Sequence, residues 1–182
     1  MEEAYSGPLG SRNIPFDRWD TAHNIGGLVG ATSPPTATLT RYPIIVWFTG
    51  YDWHAPILPQ ERDRLEAYLD QGGRLLLSSQ DFLYHHSGSA LARQFGYKFW
   101  YEGQQAEGAQ AVPDHPAGGT WGPAPLDFPF QNWTDVVEPK PGIAPLMRGD
   151  EQQPLGLAAG ETTPGAARTV FYAMPLETLP DD

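Results

Sequence analysis

Two apolar runs separated by an amphipathic segment form the strongest structural pattern in the chain. Residues 44–48 and 74–77 lack the polar–apolar alternation of a half-exposed strand, which is typical of strands buried on both faces in a parallel sheet. Residues 59–70 carry apolar positions at helical spacing, with a proline at the start and a Gly-Gly pair after the end. The pattern predicts a strand–helix–strand unit whose two strands are parallel neighbours.

Polar and aromatic residues follow both predicted strands. Residues 49–53 come directly after the first strand, and residues 78–81 come after the second. Because the carboxyl ends of parallel strands meet at one edge of a sheet, the two stretches should lie side by side. Ligands and catalytic groups gather at such an edge in open α/β sheets, so a functional site is expected there.

The remaining predicted elements are shorter. Residues 14–20 alternate apolar and polar positions and predict an edge strand, while residues 155–159 and 168–173 predict two further strands joined by a turn. Residues 102–145 are rich in glycine and proline and are expected to be held by aromatic packing. No repeat or linker divides the chain, so residues 1–182 are predicted to form a single α/β domain with a mostly parallel sheet.

Composition narrows the possible functions. The chain has 11 basic and 22 acidic residues, a formal net charge of −11 and no local basic patch, so nucleic acid is not expected as a partner. It contains no cysteine, which excludes disulfides, thiolate metal sites and a cysteine nucleophile. No run of about 18 apolar residues and no signal-peptide pattern is present, so direct membrane insertion is not expected.

The loop after the first strand combines residue types that suit a binding site. Tyr51 and Trp53 can pack on the apolar face of a sugar or a peptide, and Asp52 can accept hydrogen bonds from hydroxyl groups. His54 and Gln80 are placed at the same predicted edge. A carbohydrate or peptide platform is therefore the functional hypothesis that these residues support best. A hydrophobic plug beneath the proline-rich loops would use the same side chains, and we expect the plug.

Ser79, Asp81 and His115 are the candidates for catalysis. A serine beside a histidine base is a working nucleophile, but the Gly-x-Ser-x-Gly pattern of a sharp elbow is missing around Ser79. His115 stands in an Asp-His-Pro-Ala-Gly-Gly sequence, which is typical of a turn as well as compatible with a base. We expect Ser79 to have a structural role and His115 to lie in a turn.

A metal site is a further alternative at the same edge. Asp81, His54 and His85 carry carboxylate and imidazole groups, which suit zinc and similar ions. His86 adjoins His85, but neighbouring residues on a helix point in different directions and cannot easily bind one ion. The sequence therefore predicts no metal ion and no cofactor.

Four segments, taken in order, carry a resemblance to a known family. They are Phe-Asp-Arg-Trp-Asp-Thr, Leu-Thr-Arg-Tyr-Pro-Ile-Ile-Val-Trp-Phe-Thr-Gly, Gly-Gly-Arg-Leu-Leu-Leu-Ser-Ser-Gln-Asp and Thr-Val-Phe-Tyr-Ala-Met-Pro-Leu-Glu. The chain resembles the class I glutamine amidotransferase-like superfamily over residues 14–179. More narrowly, it is similar to the non-amidotransferase branch found as accessory domains in large, mostly secreted bacterial proteins. The resemblance implies a flavodoxin-like three-layer sandwich and an extracellular or cell-surface location.

Two departures from the family shape the functional prediction. The amidotransferases carry a cysteine at a strand-to-helix elbow, which corresponds to residues 78–81 here and holds none, so glutaminase chemistry is not expected. Family members usually open with a buried strand and a helix before the segment that matches residues 14–21, so the first strand of the sheet is expected to be missing. A slot beside residues 44–48 would invite a strand from another protein chain or another copy.

Three classes of function follow. The first is a non-catalytic interaction or accessory domain, or a subunit, of a larger extracellular or surface assembly. The second is a hydrolase that uses Ser79, or a metal near Asp81, His85 and His115. The third is a carbohydrate- or peptide-binding module centred on the loop of Tyr51 and Trp53.

Overall fold

The computed structural model describes residues 3–21, 33–102, 105–115, 121–160 and 168–180. In chain order the elements are α1 (Glu3–Ser11), α2 (Thr36–Leu39), β1 (Ile45–Phe48), α3 (Pro59–Asp70), β2 (Arg74–Ser78), α4 (Phe82–His86), α5 (Ala90–Gln94), β3 (Tyr97–Tyr101), β4 (Gly108–Ala111), β5 (Ala124–Pro125), β6 (Val136–Pro139), β7 (Pro145–Gly149), β8 (Pro154–Gly160) and β9 (Arg168–Tyr172), followed by a 3₁₀ turn (Leu176–Thr178). Within these residues no helix is long and apolar enough to cross a membrane.

The strand–helix–strand prediction is confirmed. β1 and β2 are parallel neighbours in which Ile45 pairs with Leu75 and Phe48 with Ser78, and α3 connects them. Proline stands at the first helical turn of α3, and the carboxylate of Glu61 accepts a hydrogen bond from the backbone amide of Leu58 at 2.8 Å. The helix therefore starts where the sequence signals place it.

The predicted flavodoxin-like sandwich with a mostly parallel sheet is wrong. The main sheet has seven strands in the order β1-β2-β9-β8-β7-β4-β5, and only the pairs β1–β2 and β2–β9 are parallel. It forms a mixed half-barrel with few helices, and β3 and β6 make a separate antiparallel ribbon. The physical reason lies in the connections, because four residues separate β7 from β8 and seven separate β8 from β9. A parallel crossover needs about a dozen or more residues.

The main core lies between the parallel part of the sheet and α3. Leu65, Tyr68 and Leu69 bury the apolar face of α3 against Leu75 and Leu77 of β2. Phe171 of β9 completes this layer and stacks on Phe95, with ring centroids 4.8 Å apart. Burial of these side chains fixes β2 between two partners and holds its carboxyl end in one place.

The outer edge of β1 has no strand partner among the described residues. β1 begins the strand order and pairs with β2 alone, so the expected strand beside residues 44–48 is not supplied by the described part of the chain. Residues 14–20, which were predicted to form an edge strand, are exposed and adopt no strand. Ile44 is 55% exposed and Val46 is 37% exposed, so this edge also leaves apolar side chains in water.

Helix α1 covers one end of this open side. The ring of Tyr5 stacks on Phe48, with centroids 4.0 Å apart and planes inclined by 8°. The hydroxyl of Tyr5 lies 2.6 Å from Oε2 of Glu177 and 2.9 Å from Oγ of Ser78. Burial, together with the negative charge of Glu177, raises the pKa of Tyr5, so the phenol stays protonated and donates to the carboxylate.

Candidate functional site

The carboxyl ends of β1 and β2 meet at one edge of the sheet, as the sequence predicts. The backbone amide of Thr49 donates to the carbonyl of Ser78 at 3.2 Å, which continues the ladder past the end of β1. The amide of Ser79 donates to the carbonyl of Tyr172 at 3.0 Å, which joins β9 to the same edge. The loops after three parallel strands therefore begin side by side.

A pocket of about 560 Å³ opens at this edge. Five of its lining residues are aromatic and four carry a carboxylate or an amide: Tyr51, Trp53, Tyr84, Phe130 and Trp133, with Gln80, Asp81, Glu102 and Gln131. The volume lies within the range of about 300–1,000 Å³ that small-molecule sites occupy. Apolar walls with a few polar groups are typical of a binding site.

The first wall of the pocket is the loop after β1. The carboxylate oxygen Oδ1 of Asp52 accepts hydrogen bonds from the amides of His54 at 3.1 Å and Ala55 at 3.0 Å. This side chain therefore shapes the turn. Tyr51 and Trp53 are 44% and 64% exposed, so the turn displays both rings to solvent and does not bury them as a plug.

The opposite wall is the segment from Phe130 to Trp133, and Gln80 holds it in place. The buried side chain of Gln80 accepts a hydrogen bond from the amide of Trp133 at 3.2 Å. Asn132 donates from Nδ2 to the carbonyl of Ala106 at 2.9 Å, which ties the segment to the other side. Trp133 remains 40% exposed, so its ring also faces the opening.

Asp81 lies in the floor of the pocket and is only 8% exposed. Its oxygen Oδ2 is buried and has no hydrogen-bond partner among the described residues. Burial raises the pKa of Asp81 to about 6, and the nearby His85 counteracts the rise. Glu102 and Asp52 add to the rise because their charges repel a second carboxylate. The pocket therefore contains a desolvated carboxylate that titrates near neutral pH.

Ser79 and His115 are not brought together in the pocket. Ser79 is fully buried, does not line the pocket, and accepts a hydrogen bond at Oγ from Oγ1 of Thr49 at 2.8 Å. His115 follows β4, which β9, β8 and β7 separate from β2 in the sheet, and it does not line the pocket either. Among the described residues, the structure therefore does not bring Ser79 and His115 together in the pocket.

The two histidines of α4 hold backbone carbonyls. Nε2 of His85 lies 2.7 Å from the carbonyl oxygen of Trp53, and Nε2 of His86 lies 2.8 Å from that of Ile57. Each contact requires the proton on Nε2, so both rings act as donors that fasten the loop after β1. Within the described ranges, no cluster of three or more His, Cys, Asp or Glu side chains has a geometry that could hold a metal ion.

A second depression of about 320 Å³ adjoins the pocket and shares Tyr51 and Phe130 with it. Pro129 and Glu177 complete its lining. Oxygen Oε1 of Glu177 is buried without a hydrogen-bond partner among the described residues. The two depressions, which share these aromatic side chains, are together called the cleft below.

Sequence reasoning identified one side of this cleft and missed the other. Tyr51, Trp53, Gln80 and Asp81 follow directly after two predicted strands, which is the signal that found them. Phe130 and Trp133 were assigned to packing within the stretch rich in glycine and proline. Tyr84, Glu102 and Gln131 were not singled out, since no spacing in the sequence places them near β2.

Comparison with known proteins gives similarity in structure alone. No family model and no curated protein matches the chain. Among solved structures, it is similar to a cytoplasmic protein from Salmonella typhimurium, with a TM-score of 0.55 and 16% identity over 80% of this chain and 65% of that one. A glutamine amidotransferase from Thermotoga maritima gives a TM-score of 0.51 and 18% identity over 92% of this chain and 67% of that one.

The fold is glutamine amidotransferase-like. A β-galactosidase from a Rahnella species is also similar, with a TM-score of 0.53 and 15% identity, and this chain covers 77% of its own length but 21% of that enzyme. At these identities the likeness describes an amidotransferase-like α/β fold and no activity. In this chain Ser79, Gln80 and Asp81 connect β2 to α4, and the sequence contains no cysteine.

Proposed function

We propose that the protein is a non-catalytic accessory module that binds a carbohydrate in the aromatic cleft. The observation that carries the proposal is the display of three half-exposed rings, those of Trp53, Tyr84 and Trp133, around buried polar groups at the sheet edge. Aromatic faces pack on the apolar faces of sugar rings. Carboxylate and amide oxygens between them accept hydrogen bonds from hydroxyl groups.

The shape of the cleft favours an oligosaccharide over a single sugar. The pocket of about 560 Å³ and the depression of about 320 Å³ share the side chains of Tyr51 and Phe130. A chain of sugar units can fill both depressions and pack on the rings in each. The extracellular or cell-surface location stays a prediction, and it suits a module that holds a larger assembly on a glycan.

The lack of a serine or thiol nucleophile among the described residues that line the cleft supports a non-catalytic role. The chain has no cysteine, and the serine at the elbow is buried and bonded to Thr49. A hydrolase that uses Ser79 would need this side chain to leave its hydrogen bond and enter the pocket. We therefore favour binding over hydrolysis.

Calorimetric titration with soluble oligosaccharides tests the proposal. A panel of β-linked glucose, N-acetylglucosamine, glucosamine and mannose oligomers should contain at least one ligand. Trp53→Ala and Trp133→Ala should each weaken its binding at least tenfold, which corresponds to about 1.4 kcal/mol. Trp121→Ala is the matched control, because Trp121 is 36% exposed but lies outside the cleft. No binding across the panel, or unchanged binding by both cleft variants, would contradict the proposal.

A second candidate function is carried by the open edge of β1. We propose that a strand from another protein chain, or from another copy of this one, pairs with this edge. The unpaired side of β1 and the exposure of Ile44 and Val46 support this proposal. Unpaired strand edges beside apolar side chains are templates for strand addition.

A further inference from the structure

We propose that the carbohydrate carries a positive charge next to Asp81, so that the ligand is an oligomer of an amino sugar with a free ammonium group. This inference rests on the proposed function and adds the chemical class of the ligand. It follows from the charge of the pocket, from the burial and the unpaired oxygen of Asp81, and from the arrangement of the aromatic rings.

The pocket is lined by acidic groups without basic ones. Asp81 and Glu102 contribute carboxylates, and no lysine or arginine is among the residues that line it. Asp52 stands close enough for its charge to act on Asp81. A cationic group in the pocket would therefore meet attraction from three carboxylates, whereas an anionic ligand would meet repulsion.

Asp81 supplies the observation that points to a ligand charge. Its side chain is more than nine-tenths buried, and Oδ2 has no hydrogen-bond partner among the described residues. A buried carboxylate is costly unless a positive group or hydrogen-bond donors compensate for it. Gln80 contributes one side-chain hydrogen bond to this carboxylate and His85 partly offsets its charge, but Oδ2 itself stays unpaired among the described residues. An ammonium group of the ligand would provide the missing compensation.

The aromatic side chains suit an amino sugar in two ways. Trp53, Tyr84 and Trp133 can pack on the apolar face of a sugar ring. Their π faces also attract a cation, since ammonium groups within about 6 Å of a ring centroid are stabilised. A neutral sugar would use the first property and could offer Asp81 hydroxyl donors but no opposite charge.

The titration of Asp81 gives the inference a pH signature. Because burial raises its pKa to about 6, the free protein carries the negative charge above that pH and loses it below. Glu102, Asp52 and His85 lie close enough for their charges to act on this carboxylate. Once the amine of the ligand is fully protonated, its binding should therefore weaken as the pH falls further towards 5, by up to about tenfold per unit.

The experiment compares three oligomers of equal length and equal linkage, built from glucosamine, N-acetylglucosamine and glucose. Calorimetry at pH 6.5 should give at least tenfold tighter binding for the glucosamine oligomer. Asp81→Asn should remove this preference, and Asp70→Asn should retain it. Asp70 is an exposed residue at the end of α3, so its variant reports the effect of net charge alone. Circular dichroism checks that both variants fold. The pH series uses the unaltered protein, so its result does not depend on whether a variant folds.

The outcomes separate this inference from the proposed function. Equal affinity for the three oligomers, or a preference that survives Asp81→Asn, overturns the inference and leaves carbohydrate binding in place. Binding of none of them, together with none of the wider panel, overturns the proposed function itself. Tight binding of tetramethylammonium alone, without any of the oligomers, would overturn the amino sugar as the ligand.

Discussion

Thr49 Oγ1 donates a hydrogen bond to Ser79 Oγ at 2.8 Å, and this contact ties the carboxyl ends of β1 and β2 together. Thr49 immediately follows β1 and Ser79 immediately follows β2, the two parallel strands whose ends support the cleft. Ser79 is fully buried, so its hydroxyl makes a hydrogen bond with Thr49 and not with water. Ser79 thus connects the ends of two strands and does not line the cleft.

The first prediction concerns hydrolytic activity. The purified protein should turn over neither glutamine nor a generic ester, because Ser79 is buried and no thiol is present. Ser79→Ala should lower the free energy of unfolding by about 1 kcal/mol, the typical worth of one hydrogen bond. Urea denaturation and an amide- and ester-hydrolysis assay on both proteins test this. Turnover by the unaltered protein that Ser79→Ala abolishes would show that Ser79 is a nucleophile.

The second prediction concerns Asp81 and the pH dependence of stability. Its folded pKa of about 6 lies above the ordinary value of 3.8, so the folded state binds this proton more tightly than the unfolded state. The stabilisation by this proton is complete below pH 3.8 and is lost as the pH rises through about 6. Asp81→Asn keeps a neutral side chain at every pH and should therefore stabilise the protein above that range.

Thermal unfolding at a series of pH values measures this effect. At pH 7.5 the variant should melt about 2–4 °C higher, the shift that roughly 1 kcal/mol gives in a chain of this size. The difference should shrink as the pH falls towards 4. Asp70→Asn, at an exposed position, should show no such trend. A variant that melts lower than the unaltered protein at pH 7.5 would mean that the carboxylate has a compensating partner.

Local sequence patterns predicted the parallel half of the fold and one wall of the cleft. Residues 44–48 and 74–77 were found because strands that are buried on both faces carry unbroken apolar runs. The sequence pattern also predicts strands at residues 155–159 and 168–173, but the family resemblance implies a mostly parallel sheet for them. Seven residues between β8 and β9 can join an antiparallel pair and cannot form a parallel crossover.

The second wall of the cleft has no comparable signal. Trp133 reaches the pocket because Gln80 accepts a hydrogen bond from its amide, a contact between residues 53 positions apart. Glu102 lines the pocket because it directly follows β3, and the position of β3 depends on its pairing with β6. Contacts at such separations are set by tertiary packing. A periodicity over ten or fifteen residues therefore cannot predict them.

The third prediction tests the Gly-Gly turn that ends α3. A Cβ atom on Gly73 would lie 2.4 Å from Cε1 and Cζ of Tyr68. Tyr68 cannot move aside easily, since it is buried and its hydroxyl bonds to the carbonyl of Tyr42 and the amide of Arg74. Gly73→Ala should destabilise the protein by roughly 2 kcal/mol, as overpacked cores do.

Chemical denaturation compares this variant with Gly88→Ala. A Cβ atom on Gly88 meets nothing within 4 Å, so that substitution should change the free energy of unfolding little. An equally small effect at Gly73 would mean that the ring of Tyr68 and the turn can shift together.

The last prediction concerns the open edge of β1. If a strand from another chain or copy pairs there, the outward amides of β1 should exchange hydrogen rapidly in the free monomer and slowly in the complex or oligomer.

Val46 lies on the face opposite Ile45 and Trp47, which pack on the core, and it is 37% exposed. A lysine at this position places a charge beside the edge, a feature that natural edge strands use to prevent pairing. Val46→Lys should therefore weaken association at least tenfold in sedimentation experiments. Phe99→Lys on β3, at a residue that is 41% exposed, should leave association unchanged. A monomer at high concentration in which the outward amides of β1 are already protected would show that the edge is covered from within the chain, and strand addition would then be abandoned.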